Sequence, residues 1–147
     1  MRRICWGMLM HCGFCEANGE LSKFGTVIHD DDHSAVVLHP DSAVAGHAML
    51  IWKRHVENVA DLRPDELASF SRIHRAAERA LLDETRRERA VLLKLGIQTP
   101  HLHLHIYPVS SSAGRDDVMA AINGAVEEPR PGGFAERCRR RLTDLLA

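Results

Sequence analysis

Pro100-His101-Leu102-His103-Leu104-His105-Ile106-Tyr107-Pro108 is the most informative segment of this 147-residue chain. Successive side chains of a β-strand point to opposite faces, so we expect the three histidines on one face and the aliphatic residues on the other. The aliphatic face predicts contact with a hydrophobic core. The row of imidazoles has three interpretations: chance histidines on a surface strand, a metal centre, or a catalytic site.

The composition is that of an ordinary globular protein. Apolar residues make up 45% of the chain and charged residues 27%, which excludes a disordered or collagen-like chain. The 19 basic and 20 acidic residues give a net charge of -1, so we expect neither nucleic acid nor a membrane surface as a partner. No apolar run approaches the ~20 residues that span a bilayer, and Met1–Met10 lacks the cleavage pattern of a secretory signal. A cytoplasmic location is therefore expected.

Short apolar runs separated by turn residues predict several strands and then helices. Strands are predicted at residues 24–28, 34–38, 47–52, 90–95 and 101–107, the first three as a meander that turns at Asp30-Asp31-Asp32. Pro64 and the acidic residues after it predict the first turn of a long helix. The apolar stripe of this helix consists of Leu67, Phe70, Ile73, Ala77 and Leu81. Shorter helices are predicted at residues 116–122 and 134–146.

The cysteines indicate a metal or redox site near the start of the chain. Four cysteines, at positions 5, 12, 15 and 138, form no evident disulfide framework, but Cys12 and Cys15 form a C-x-x-C pair. Such a pair is typical of a metal site or of a redox dithiol. His11 is a competing metal ligand beside the pair. We attach no chemistry to Cys5 and Cys138.

Three separated motifs resemble the histidine-triad (HIT) family. Residues 101–107 match its signature, His-φ-His-φ-His-φ-φ with φ apolar, at every position. Cys12-Gly13-Phe14-Cys15 is similar to the Cys-x-Phe-Cys opening of the zinc-containing branch of the family. Residues 46–59, Gly-His-Ala-Met-Leu-Ile-Trp-Lys-Arg-His-Val-Glu-Asn-Val, resemble that branch's Gly-His-x-Leu-Val-Ile-Pro-Lys-x-His-x-x-Asn segment. The resemblance covers residues 12–108, and three motifs in the right order make it specific.

The resemblance implies an α+β fold, in which one long helix packs on an antiparallel sheet of about five strands. We therefore predict a single HIT-like domain over residues 1–147, with a core at 12–108 and a C-terminal helical tail at 113–147. A homodimer is also expected, because the family pairs two subunits and exposed sheet edges need covering.

The resemblance further implies a nucleotide hydrolase or nucleotidyl transferase. His103 would attack the α-phosphorus of a nucleoside phosphoramidate, phosphoanhydride or dinucleoside polyphosphate and form a covalent nucleotidyl-histidine. The attacking imidazole must be neutral, so its other ring nitrogen should donate to a fixed acceptor such as a backbone carbonyl. His105 would assist at the phosphate oxygens. Two alternatives stay open: a non-enzymatic, zinc-stabilised nucleotide-binding module, and a metal-dependent enzyme that uses all three triad histidines as ligands.

The zinc-containing branch implies a structural Zn²⁺ ion with four protein ligands. Carried over to this sequence, the ligands are Cys12, Cys15, His55 and His101, and all four are suitable for a closed tetrahedral site. One departure from the branch lies nearby, because its usual proline is Trp52 here.

The chain also departs from the family pattern at the sugar and the phosphate. The acidic residue that binds ribose hydroxyls in many members aligns with His39, and neutral imidazole accepts one hydrogen where a carboxylate accepts two. Asp41 is an alternative for that role. Lys94-Leu95-Gly96-Ile97-Gln98 replaces the usual Asn- and Gly-rich phosphate loop, so Lys94, Gln98 and Thr99 are candidate phosphate contacts as well as ordinary exposed residues.

Overall fold

The computed structural model describes residues 12–40, 42, 44–125 and 128–147. Within these residues the elements are α1 (Gly13–Glu16), β1 (Thr26–Asp30), β2 (Ser34–Leu38), β3 (Ala48–Trp52), α2 (Pro64–Thr85), β4 (Arg89–Leu93), β5 (His103–Val109), α3 (Arg115–Ile122) and α4 (Phe134–Leu146). Short 3-10 turns occupy Leu21–Phe24 and Val59–Asp61. The suggestions made for Cys5, His11 and Asp41 fall outside the described residues.

The five strands form one antiparallel sheet in the order β1-β2-β3-β5-β4. This is the α+β architecture predicted from the sequence, with the expected number of strands. The first three strands form the predicted meander. The next strand along the chain, β4, lies at the edge, and β5 pairs with β3 instead. The strand that carries the triad is therefore inside the sheet and has a partner on each side.

Local chemistry explains where β1 begins and how it ends. Gly25 has φ 143°, and a Cβ atom there would overlap the carbonyl oxygen of Leu38, so the chain needs a glycine at this point. As a result β1 begins two residues later than predicted. At its far end Asp31 Oδ1 accepts backbone N–H groups from His33 at 2.8 Å and Ser34 at 2.7 Å, which makes the predicted turn.

Helix α2 begins at Pro64 as predicted, and Glu66 stabilises its first turn. A carboxylate oxygen of Glu66 accepts the backbone N–H of Arg63 at 2.9 Å, and the same side chain pairs with Arg54. Four of the five stripe residues are buried, but Leu67 is 41% exposed, so its assignment to the stripe was wrong. The reason is geometric: Glu66, one residue earlier, points in the buried direction, where Arg54 neutralises it.

The main hydrophobic core lies between the sheet and the helices α2 and α4. Alternate residues of each strand enter it, including Val36 of β2, Leu50 of β3 and Ile106 of β5. Helix α4 contributes Phe134, Cys138 and Leu142, all of them buried. The expected C-terminal tail is thus a structural layer of the core. None of the described helices has the length and apolarity needed to cross a membrane.

Two separate segments of the chain pack on the opposite face of the sheet. The segment around Leu21, with Phe14 and Phe24, covers the outer face of β2 and β3. Helix α3 covers the outer face of β4 and the end of β5. The triad histidines lie on this face of the sheet.

Candidate active site and metal centre

Strand β5 divides the triad segment between two faces, as the alternation predicted. Leu104 and Ile106 pack into the main core, while His103 and His105 share the opposite face, with ring centroids 5.1 Å apart. The strand begins at His103 rather than at His101, because the backbone N–H of His101 donates to Thr99 at 2.8 Å instead of to a neighbouring strand. His101 and His103 are buried and His105 is half-buried.

The four predicted metal ligands come together at the start of this strand. Their ligand atoms, on Cys12, Cys15, His55 and His101, all lie within 4.8 Å of one another. Cys12 Sγ is 3.3 Å from His101 Nδ1, Cys15 Sγ is 3.3 Å from His55 Nδ1, and the two Nδ1 atoms are 3.2 Å apart. A tetrahedral Zn²⁺ with bonds of about 2.0–2.3 Å holds its ligand atoms roughly 3.3–3.8 Å apart. The spacing of these three pairs is close to what such an ion needs.

Neighbouring groups prepare these side chains for a metal. His101 Nε2 donates to the backbone carbonyl of Trp52, which leaves the Nδ1 lone pair directed at the cysteines. Burial lowers the pKa of His101, which favours the neutral form that binds metals. The segment that carries His55 is anchored by the pairing of Arg54 with the buried carboxylate of Glu66, and this pairing lowers the pKa of Glu66 to about 2. Donor set, spacing and tautomer all suit a structural metal.

His103 is held differently from His101. Its Nδ1 atom lies 2.7 Å from the backbone carbonyl oxygen of His101. A carbonyl oxygen only accepts hydrogen bonds, so the proton lies on Nδ1 and Nε2 keeps its lone pair. A neutral attacking imidazole needs a fixed backbone acceptor for its other ring nitrogen, and His101, the preceding triad histidine, supplies that acceptor.

His47 belongs to this site, although the sequence analysis gave it no role. Its Nε2 atom lies 2.8 Å from His105 Nδ1, and its ring stacks on Tyr107 at 3.9 Å between centroids. Burial and the neighbouring histidine lower the pKa of His47 to about 3, and burial lowers that of His105 to about 4. Both rings are therefore neutral at pH 7, and one must donate a hydrogen to the other.

The direction of that hydrogen bond follows from the other nitrogen of His47. Its Nδ1 atom is buried and has no hydrogen-bond partner among the residues that the structure describes, so the proton of His47 is better placed on Nε2, where His105 Nδ1 accepts it. The proton of His105 then lies on Nε2, which is available as a donor. In the sequence His47 stands out only as part of the segment at residues 46–59, and its contact with the triad depends on the pairing of β3 with β5.

His39 extends the row of histidines. Its ring stacks on His47 with centroids 4.7 Å apart and planes 11° from parallel. A cavity of about 200 Å³ opens beside both rings, and Arg130, from the segment before α4, also lines it. Arg130 Nη2 donates to the carbonyl oxygen of Ser42 at 2.7 Å. The structure thus joins the predicted sugar-binding position to the triad through His47.

The loop between β4 and β5 holds the other predicted substrate contacts. Thr99 is half-buried and its carbonyl oxygen accepts from His101, whereas Gln98 is exposed. Lys94 is exposed, and its ammonium group lies 3.3 Å from Asn58 Oδ1. Thr99 is therefore next to the triad through its backbone, and Lys94 is directed toward the segment that follows His55.

Comparison with known families agrees with this geometry. A model of the HIT domain matches residues 21–111. The chain belongs to the HIT family. This membership places it in a superfamily of nucleotide-binding hydrolases and transferases. The match includes His103, His105, His47 and His39, but it leaves out Cys12 and Cys15 as well as α3 and α4.

Solved structures of other HIT proteins share the fold. A hypothetical histidine triad nucleotide-binding protein from Sulfolobus tokodaii strain7 is 23% identical, and the alignment covers 92% of this chain and 91% of that one with a TM-score of 0.64. A HIT protein from Sinorhizobium meliloti 1021 is 19% identical over 86% of this chain and 93% of that one, with a TM-score of 0.65. A Zn-bound histidine triad family protein from Mycobacterium smegmatis is 17% identical over 82% and 86%, with a TM-score of 0.60. At such identities the likeness establishes the fold.

Proposed function

We propose that this HIT protein is a nucleotide hydrolase or nucleotidyl transferase in which His103 is the nucleophile. The substrate is a nucleoside phosphoramidate, phosphoanhydride or dinucleoside polyphosphate. The observation that carries the proposal is the 2.7 Å hydrogen bond between His103 Nδ1 and the carbonyl of His101. It leaves a lone pair on Nε2, which is what an attack on phosphorus requires.

The reaction has two displacements. In the first, a bond forms between His103 Nε2 and the α-phosphorus while the bond from phosphorus to the leaving group breaks. The leaving atom takes the electron pair, and an amine leaving group also takes a proton from solvent. His105 Nε2–H donates to a phosphate oxygen, where negative charge grows in the transition state. In the second, water or an acceptor alcohol attacks phosphorus, the P–N electron pair returns to His103, and the attacking group releases its proton to solvent.

We also propose that Zn²⁺ occupies the cluster of Cys12, Cys15, His55 and His101. The M. smegmatis relative is Zn-bound, and the ligand spacing in this chain suits the same ion. When bound to four protein ligands, zinc stabilises the fold and offers no open position to a substrate. A reducing compartment such as the cytoplasm would keep the thiols of Cys12 and Cys15 available to the metal.

For the substrate we propose that the sugar lies in the cavity beside His39 and that the phosphates face the loop before the triad. The cavity adjoins His47, which contacts His105, so a nucleotide held there has its phosphate near His103. We favour Gln98 and Thr99 over Lys94 as phosphate contacts, because the ammonium group of Lys94 already contacts Asn58.

The test is turnover of a small panel of adenylyl and guanylyl phosphoramidates and dinucleoside polyphosphates, with products identified by mass. We expect release of a nucleoside monophosphate, and rapid quenching without acid should reveal a nucleotidyl adduct on wild type that His103→Ala lacks. Binding without turnover of any compound would favour a non-enzymatic binding module. The metal-enzyme alternative requires the three triad rings to converge on one ion, but His101 Nδ1 faces the cysteines.

We further propose a homodimer, and the two edges of the sheet differ in a way that supports it. At β1, Arg139 Nη2 of α4 donates to the carbonyl oxygen of Val27 at 3.0 Å and so covers the edge. At the β4 edge Leu92 is 43% exposed, and the following loop exposes Leu95 and Ile97. An open apolar edge is a pairing surface. Light scattering at micromolar concentration should give twice the chain mass, and Leu92→Lys should shift it toward the monomer.

A further inference from the structure

Phe14 links the metal-ligand segment to the proposed nucleophile. It lies in α1 between the two cysteines, and its ring makes edge contacts with His101 at 5.4 Å and with His103 at 5.1 Å between centroids. A third edge contact, at 4.7 Å, joins it to Phe24. Such T-shaped pairs at these distances are attractive and have a preferred geometry.

The imidazole of His103 needs a second constraint besides its hydrogen bond. The bond from Nδ1 to the His101 carbonyl fixes one edge of the ring, and His105 contacts the ring at 5.1 Å between centroids, but a ring can still turn about a single hydrogen bond unless further contacts oppose it. Rotation would move Nε2 away from its line of attack, and misplacement by about 1 Å costs large factors in rate. Contact with a second ring on the same side chain opposes this rotation.

We propose that Phe14 is a positioning residue, which holds the His103 imidazole in its attacking orientation and ties that orientation to the segment bearing Cys12 and Cys15. The inference rests on the proposed role of His103 as nucleophile. The cysteine cluster would then orient the nucleophile in addition to stabilising the fold. Ordering of the cysteine segment fixes the Phe14 ring, and the ring then fixes the nucleophile, although neither cysteine approaches the substrate.

The test compares Phe14→Leu with the matched control Phe24→Leu. Both substitutions replace a ring by an aliphatic side chain in the same cluster, but Phe24 contacts Phe14 and not His103 within the part of the chain that the structure describes. For Phe14→Leu we expect kcat to fall about tenfold with KM within about twofold, the size expected for loss of one aromatic contact. Phe14→Tyr, which keeps the ring, should restore kcat. Metal content should match wild type in all three.

A readout that needs no substrate completes the design. Nitrogen-15 NMR of the histidine side chains should show His103 as one tautomer protonated at Nδ1 in wild type and in Phe24→Leu, but as a mixture in Phe14→Leu. Unchanged kcat and an unchanged His103 signal in Phe14→Leu would overturn the proposal. A raised KM with unchanged kcat would also overturn it, because Phe14 would then contact the substrate. If wild type turns over nothing, the NMR comparison still tests Phe14, so the two proposals fail separately.

Discussion

His101 and His103 are the same residue type, two positions apart on one face of the chain, and their surroundings make them different reagents. Both ring nitrogens of His101 are occupied, Nδ1 by the cysteine cluster and Nε2 by the carbonyl of Trp52. For His103, the described part of the chain provides a hydrogen-bond partner for Nδ1 alone, the carbonyl of His101. Whether an imidazole serves structure or chemistry thus depends on how many of its ring nitrogens remain available, rather than on the residue type or its spacing.

The largest expected effect separates these two histidines directly. His103→Ala removes the ring nitrogen that we propose attacks phosphorus, so we expect turnover to fall by at least about 10³-fold. Metal content and melting temperature should stay at wild-type values, because His103 is not a ligand. His101→Ala should do the reverse and lose the metal first. Turnover that persists in His103→Ala would remove the nucleophile assignment, and metal loss in it would favour the metal-enzyme alternative.

The second prediction concerns the structural side of the comparison. Cys12→Ser removes one thiolate from the cluster, and because metal binding is coupled to folding, the melting temperature should fall by about 10 °C. Metal analysis should find about one Zn²⁺ per wild-type chain and much less in the variant. Cys138→Ala is the matched control, since this buried thiol lies in the main core, away from the cluster. A wild type without zinc, or an unchanged melting temperature in Cys12→Ser, would contradict the site.

The third prediction tests the hydrogen bond that His47 donates to His105. His47→Phe keeps a ring but cannot donate to His105 Nδ1, so His105 Nε2–H is no longer enforced, and kcat should fall about 10- to 100-fold. His47→Gln retains an N–H donor and should lie closer to wild type. Equal losses in the two variants would show that His47 acts by packing alone.

The lowered pKa values of His47 and His105 predict how the stability of the fold changes with pH. Folded His47 and His105 have pKa values of about 3 and about 4, against 6.5 for an unperturbed histidine. Between pH 6.5 and pH 4 the unfolded chain therefore binds more protons, and stability falls as pH is lowered through this window. His47→Phe removes one of these groups. Its melting temperature should decline less than that of wild type between pH 7.5 and about pH 5.

The smallest expected effect concerns the sugar. A neutral imidazole at His39 accepts one hydrogen, so it cannot hold a pair of ribose hydroxyls as a carboxylate does. We expect the ratio of kcat/KM for ribose over deoxyribose substrates to stay below ~100-fold, which corresponds to about 2.7 kcal/mol. A larger preference, measured on one matched substrate pair, would mean that another group recognises the sugar.

The segments whose patterns repeat were predictable from the sequence. The alternation in β5, the start of α2 at Pro64 and the bounds of β2 and α4 all follow from local signals, and the structure matches them. The candidate metal ligands were found through three separated motifs, which no periodicity brings together, and the structure places these residues in one cluster.

What the sequence could not show depends on contacts between distant residues. The role of His47 requires the sheet order, which puts β3 beside β5 and so brings its ring to His105. Leu67 fits the helical stripe, but a buried Glu66 with an arginine partner takes the inward direction. Gly25 delays β1 because of a carbonyl thirteen residues away, at Leu38. Each of these outcomes is decided by a partner that local propensity does not contain.

The cover that α4 provides also sets the limits of the foldable unit. The family match ends at residue 111, yet Phe134 and Leu142 fill the core beneath the sheet, and Arg139 protects the β1 edge. In a fragment that ends at residue 111, the core face of the sheet that α4 covers would be exposed to water, and both edge strands would be uncovered. Such a chain is suited to joining others edge to edge, so we expect a fragment that ends at the family boundary to aggregate rather than to fold.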